Sequence, residues 1–193
     1  MRSFTESGRR KLALAGLLFA TSLVGAVPAM AQTGGTGSPG STTTTTTTTT
    51  NSSGTAQLQA DGTALAPAGA PRQVRKAIAA ANKIHTRPSI WGGGHRRFKS
   101  SGYDCSGAVS YVLHAAGLLR SPLSSGPLMT WCAPGLGSWI TVYANRSHAW
   151  MTVAGLRFDT SAVGESLNQG SGPRWRASMR AGTGYAARFF PGF

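Results

Sequence analysis

Apolar positions fall unevenly along the chain. Leu12 to Val27 is a nearly continuous apolar run, preceded by Arg2, Arg9, Arg10 and Lys11 and followed by Pro28-Ala29-Met30-Ala31. A basic start, a short greasy stretch and a small-residue exit are the parts of a secretory signal peptide, so cleavage is expected after Ala31 and residues 1–31 are read as a leader. The run holds about 16 residues, fewer than the roughly 20 a spanning helix needs, and no other segment is apolar enough to cross a bilayer. Beyond the leader the periodicity vanishes. Residues 32–71 are built from Gly, Ser, Thr, Ala and Pro, with a threonine tract from Thr42 to Thr50 and an Asn51-Ser52-Ser53 glycosylation pattern. Such a segment buries too little apolar surface to offset its conformational entropy, which predicts a disordered stalk over 32–71.

Periodicity returns at Arg72, and residues 72–193 are long enough for one domain. Val74, Ala77, Ile78 and Ala81 lie on one face of a helix expected over Gln73 to Ile84. Ile90-Trp91-Gly92-Gly93-Gly94-His95 then breaks regular structure. A second helical pattern, Val109, Val112, Leu113 and Ala116, follows Asp104-Cys105-Ser106-Gly107 and stops at Gly117, with Asp104 and Ser106 suited to its start. Alternation of period two then predicts strands over Ser138 to Tyr143, Ala149 to Val153 and Leu156 to Asp159, the last two joined by a tight turn at Ala154-Gly155. Helices followed by an antiparallel meander make an α+β domain. From Gly170 onward, Arg174, Arg176, Arg180 and Arg188 interleave with Trp175, Tyr185, Phe189 and Phe190. These residues either pack on the sheet or touch an anionic substrate, and packing suits the aromatics better.

Charge narrows the partners. The chain carries 19 Lys and Arg against 5 Asp and Glu, a net +14. Loss of the leader removes four of those bases and one acid, which leaves +11. A basic exported protein is drawn to polyanions such as wall polymers and anionic lipid heads. No zinc-finger spacing, arginine-rich helix or RNA-binding aromatic motif points to nucleic acid.

Cys105 and Cys132 are the two cysteines. In an exported chain a disulfide is the plain alternative, but Cys105 stands at a helix start. Unpaired N–H groups and the helix dipole there favour thiolate over thiol, and the same N–H groups suit an oxyanion. Of four histidines, His114 lies mid-helix and His85 complements the end of the first helix. His95 follows the glycine loop and could approach the site. His148 opens a strand after the Asn145-Arg146-Ser147 turn, a rigid place from which to present an imidazole as the base. Asp159, on the neighbouring strand, is the candidate to orient it; among the other acids, Asp61 lies in the expected stalk and Glu165 in a Gly-rich loop. A zinc site from Cys105, Cys132 and His148 has no short-spaced ligand pair, so no metal is expected.

A helix, an aromatic-Gly-Gly loop, then Tyr103-Asp104-Cys105-Ser106-Gly107 heading a second helix resembles the NlpC-type family of bacterial cell-wall peptidases. The stretch Gly137-Ser138-Trp139-Ile140-Thr141-Val142-Tyr143, a turn, and His148-Ala149-Trp150-Met151-Thr152-Val153 looks like that family's paired strands leading into the catalytic histidine. The resemblance runs from about Arg72 to Asp159. It implies a papain-like fold, with N-terminal helices packed on an antiparallel sheet, and cleavage of peptidoglycan stem peptides without a cofactor, often between D-glutamate and the following diamino acid. Carried over, Cys105 is the nucleophile, His148 the general base and then acid, and Asp159 the third group, a position often held by histidine in the family. Trp91, Gly92, Asp104 and Ser106 become substrate-binding residues. Ser89 replaces a tyrosine common two positions before the W-G-G loop, and Gly137-Ser138 replaces Gly-Asp. The implied protein is secreted and cell-wall associated, with peptidoglycan and anionic wall polymers as partners. The alternatives are a catalytically weak or inactive wall-binding domain on the same fold, or another acyl transfer on the same triad.

Overall fold

Alternation along three central strands organises the molecule. In the computed structural model, which describes residues 54–163 and 171–192, strands β1 (Gln57–Leu58) and β2 (Ala64–Leu65) precede helices α1 (Arg72–Ile84), α2 (Cys105–Ala115) and α3 (Ser125–Leu128). Strands β3 (Ala133–Pro134), β4 (Ile140–Ala144), β5 (Ala149–Val153), β6 (Leu156–Asp159), β7 (Arg174–Arg176) and β8 (Ala186–Phe189) follow. The last six form one antiparallel sheet in the order β3-β8-β4-β5-β6-β7. The fold is a mixed one, helices beside an antiparallel sheet, as the α+β reading expects. The expected leader over 1–31, the first part of the expected stalk (32–53) and Glu165 lie outside the described residues.

The register sorts side chains onto two faces. Ile140 pairs with Val153, Val142 with Met151, Ala144 with Ala149, and Met151 with Phe158, which pairs in turn with Trp175. These residues share one buried cluster with Val74, Ala77, Ile78 and Ala81 of α1 and Val109, Val112 and Leu113 of α2. Fully burying a Val, Leu or Ile side chain contributes about 1.5–3 kcal/mol, so this layer supplies most of the drive to fold. The intervening residues form the other face, where Thr141 pairs with Thr152, Tyr143 with Trp150, and Arg157 with both Thr152 and Arg176. Most of that face is also buried, with Trp150 stacked on the half-buried Tyr143 at 4.0 Å between ring centroids. Tyr185, beyond β7, meets Trp150 edge-on at 6.0 Å.

Two expectations need correction. Order does not begin at Arg72. Residues 57–65, expected in the stalk, form a hairpin whose turn is closed by Asp61, which accepts from the Thr63 N–H and hydroxyl, and by Gly62 at φ +81°. The hairpin docks on the domain. The Ala56 N–H donates to the Ala154 carbonyl at 2.7 Å, and the Asn82 amide pairs with both backbone groups of Ala64 at 2.9 Å. The buried side chains in and around it include Ala56, Ala64 and Ala70, too small to register as an apolar period. The second correction is small: the strand expected over Ser138 to Tyr143 spans Ile140–Ala144, and just before it the Gly137 N–H donates to the Thr141 hydroxyl. The residues from Arg174 onward provide two strands, and β8 lies between β3 and β4.

Candidate active site

Asp104 builds the start of α2. Its backbone is extended (φ −85°, ψ −177°) and its Oδ1 accepts from the Gly107 N–H at 2.7 Å, an N-cap of the usual kind. The second carboxylate oxygen accepts from the Gly92 N–H at 3.1 Å, while the Asp104 N–H donates to the Gly93 carbonyl at 3.2 Å. The glycine loop therefore lies directly on the first turn of α2. Contact is so close that a Cβ on Gly107 would stand 1.9 Å from the Gly93 oxygen. Only glycine fits there, which explains the last residue of Asp104-Cys105-Ser106-Gly107 in physical terms.

Cys105 is the first residue of this helix, and its side chain is partly buried. Burial alone would push its thiol up. Hydrogen bonds from His148 and from the Ala149 backbone, together with the His148 charge, outweigh that and hold it below the ordinary thiol value. His148 precedes β5, its approach fixed by Asn145, whose Oδ1 accepts from the His148 N–H at 2.9 Å and the Ser147 N–H at 3.0 Å. The His148 Nε2 bonds Asp159 Oδ1 at 2.8 Å, which leaves Nδ1 for the thiol. Burial lowers the imidazole's pKa, but the bonds to Asp159 and Cys105 prevail and raise it to about 9. Thiolate and imidazolium thus favour each other across the pair.

Asp159 is 2% exposed. Burial raises its carboxyl, yet His148, the Ser161 N–H at 2.9 Å and Arg157 together hold it below the usual carboxylate range. Arg157 was not foreseen from the sequence. It is 0% exposed, lies two residues before Asp159 on the same face of β6, and grips Oδ2 through Nη2 at 2.7 Å and Nε at 3.1 Å. Its remaining donors reach the carbonyls of Ser161 (2.9 Å), Val163 (2.9 Å) and Ser178 (3.3 Å). Arg180 adds a longer contact to Oδ2 at 3.4 Å and lies over the Tyr185 ring. The only sequence signal for Arg157 is its i, i+2 spacing from Asp159.

A cleft of about 760 Å³ opens over Cys105, and Trp91, Gly92, Asp104 and Ser106 all line it. Across it stand Ser124, Ser125, Arg146 and Ser147. Trp91 is 99% exposed at the rim, whereas Ser106 is buried. His95 also lines the cleft, but its Nε2 is engaged by Asp104 at 2.9 Å and by the Ser106 hydroxyl at 3.0 Å, so it braces the cap instead of facing the thiol. Ser89 is exposed and bridges to Tyr103. Cys132 is an exposed free thiol with φ +49°, placed just before β3 and outside the residues lining the cleft. Among the described residues no group of three His, Cys, Asp or Glu is arranged to hold a metal ion, and no helix is long and apolar enough to cross a membrane.

Comparison with solved structures finds the hypothetical invasion protein Rv1477 of Mycobacterium tuberculosis, at 22% identity and TM-score 0.44 over 61% of this chain and 62% of that one. The peptidoglycan hydrolase RipB of Mycobacterium tuberculosis is similar at 20% identity and TM-score 0.45, over 62% of this chain and 68% of RipB. A mutated form of the resuscitation promoting factor interacting protein RipA matches at 22% identity and TM-score 0.44, over 61% and 62% of the two chains. This chain thus spans less than two thirds of the length of the first of these. No protein-family model and no curated protein matches the sequence.

Proposed function

We propose that this chain is a secreted, wall-associated peptidoglycan hydrolase that cleaves stem-peptide amide bonds through Cys105, His148 and Asp159. The observation that carries the reading is a partly buried thiol at a helix start, hydrogen-bonded to an imidazole whose other nitrogen rests on a buried, arginine-held carboxylate. The Cys105 thiolate attacks the substrate carbonyl carbon, and the resulting oxyanion lies against the N–H groups at the start of α2. His148, as imidazolium, gives its proton to the leaving amine. Water then attacks the thioester with His148 as base, which releases the acid and restores the pair. Asp159 keeps the ring oriented and stabilises its charge without taking the proton. Trp91, Gly92, Asp104 and Ser106 line the path of the peptide, and no cofactor enters the cycle. The net +11 left after loss of the leader favours residence on an anionic wall.

The test is digestion of purified peptidoglycan by the full chain under reducing conditions, with fragments identified by mass spectrometry. New peptide termini that disappear in Cys105→Ala support the peptidase. Tight pelleting with wall and no Cys105-dependent product would instead establish the wall-binding alternative.

A further inference from the structure

Gly92 borders two cavities. One is the cleft over Cys105; the other, about 340 Å³, is lined by Gly92, Gly94 and Ser100 and by three cations, Arg96, Arg97 and Lys99. Every charged side chain on its wall is positive. Among the described residues, none of the three forms an ion pair.

The loop that holds them is fixed to α2. Phe98, between the second and third cations, stacks on His114 with ring centroids 3.7 Å apart and planes 8° from parallel. The buried Tyr103 accepts from the Ser100 N–H at 3.2 Å and donates to the Phe98 carbonyl at 3.0 Å. At the other end His95 is held on Asp104 and Ser106. Three like charges on a braced loop repel one another, and an anion seated among them relieves that repulsion without first ordering the loop.

We propose that this basic cavity is an anion subsite that takes a carboxylate of the peptide whose scissile amide lies in the adjoining cleft. The inference rests on the peptidase reading and adds where a carboxylate beside the cleaved bond would be held. Adjacent arginines offer the planar fork that a carboxylate accepts in bidentate fashion, with Lys99 as a point charge beside them. The volume suits one short branch of a ligand, at the low end of small-molecule pockets. A long anionic polymer would call for a continuous basic track.

The full chain carrying Cys105→Ala allows binding to be measured without turnover. The probes are the tetrapeptide L-Ala-γ-D-Glu-meso-diaminopimelate-D-Ala and the same peptide with its two side carboxylates amidated. The free acid is expected to bind about tenfold more tightly at low salt, the scale of two or three exposed charge contacts. Arg96→Gln, Arg97→Gln and Lys99→Gln combined should bring the two peptides to within about twofold. Arg97→Glu alone should reverse or erase the preference, and serves if the triple variant does not fold. Salt at about 0.5 M should shrink the preference in the parent, since screening then acts over only a few ångströms. Equal binding of acid and amide, or a preference that survives both variants, overturns the subsite. So does equally tight binding of a polyphosphate chain through the same three residues, which would mark a wall-polymer surface. Peptidoglycan digestion by the unmodified chain scores the peptidase separately. Acid preference without Cys105-dependent cleavage would sink the peptidase reading alone, whereas cleavage with no acid preference would sink the subsite alone.

Discussion

Asp159 connects burial to reactivity. Its carboxylate is fully enclosed and shared between His148 on one oxygen and Arg157 on the other. Removing a partner from a buried pair typically costs about 3–5 kcal/mol, because the remaining charge is left uncompensated. Arg157→Met is therefore expected to lower unfolding stability by about that much in urea titrations; a loss under about 1 kcal/mol would mean that Ser161 and Arg180 suffice to hold Asp159. The pKa directions make a second prediction. Thiolate and imidazolium coexist between the depressed Cys105 value and about 9 for His148. Peptide cleavage should rise with pH through the first, which lies below the ordinary thiol value of 9.0, and fall above the second. Asp159→Asn should draw the alkaline limb downward, and a limb unmoved in that variant would separate Asp159 from His148 titration. Stability follows the same groups. His148 is raised from 6.5, so its contribution is complete below 6.5 and lost as pH rises through about 9. Asp159 is lowered from 3.8, so its contribution is complete above 3.8 and lost as pH falls through its depressed value. Cys105 is lowered from 9.0, so its contribution grows as pH rises from its depressed value to 9.0 and opposes the His148 loss. Urea midpoints should therefore decline above pH 6.5 more steeply in Cys105→Ala than in the parent.

At the level of elements, the first turn of α2 and the glycine loop form one unit. Asp104 caps the helix, receives the Gly92 N–H and donates to Gly93, while Gly107 admits the loop backbone. Gly107→Ala places a methyl against a carbonyl oxygen that cannot move without dragging the loop off Asp104. Overpacking of this kind costs about 1–3 kcal/mol, and cleavage should fall more steeply than stability because the cleft wall shifts with the loop. A variant with parent activity and parent melting temperature would contradict that coupling. The docking of the glycine loop on that first turn was not legible in the sequence. The limits of α2 were, since a capping Asp, a helical period and a Gly stop are local signals. The strands β5 and β6 were equally legible, because alternation and the Ala154-Gly155 turn fix their ends. Arg157 was not. In Leu156-Arg157-Phe158-Asp159 the alternation puts Arg157 and Asp159 on the outward face. That face is buried in the folded chain, and Arg157 bonds the Ser161, Val163 and Ser178 carbonyls there. Period two tells which side chains share a face, not whether another segment closes over it.

Long-range docking is what composition hid in the molecule as a whole. Strand β8, nearly fifty residues beyond β4 in sequence, pairs with it through Val142↔Arg188 and its neighbours, and no local signal announces such a pairing. The same holds at the other end. Residues 54–71 read as a low-complexity stalk, because alanines, threonines and glycines carry no apolar period. Their order comes from distant partners: the Ala154 carbonyl receives Ala56, and Asn82 holds both backbone groups of Ala64 while its Oδ1 also accepts from Trp175 Nε1 at 2.7 Å. Asn82 thus ties the hairpin, α1 and β7 together. A chain beginning at Arg72 would lose the buried Ala56, Ala64 and Ala70, together with the Ala56 bond to Ala154 and both Asn82–Ala64 bonds, and would leave Asn82 without its strand partner. Net hydrogen bonds contribute about 1 kcal/mol each and buried methyl groups somewhat less, so the loss should be about 3–5 kcal/mol. Against a typical stability of about 5–15 kcal/mol, that is enough to matter. Urea unfolding of residues 54–193 beside residues 72–193 measures it directly. Equal midpoints would return the domain start to Arg72. A lower midpoint for the shorter chain, reproduced in Asn82→Ala within the longer one, would make the hairpin part of the domain that carries Cys105.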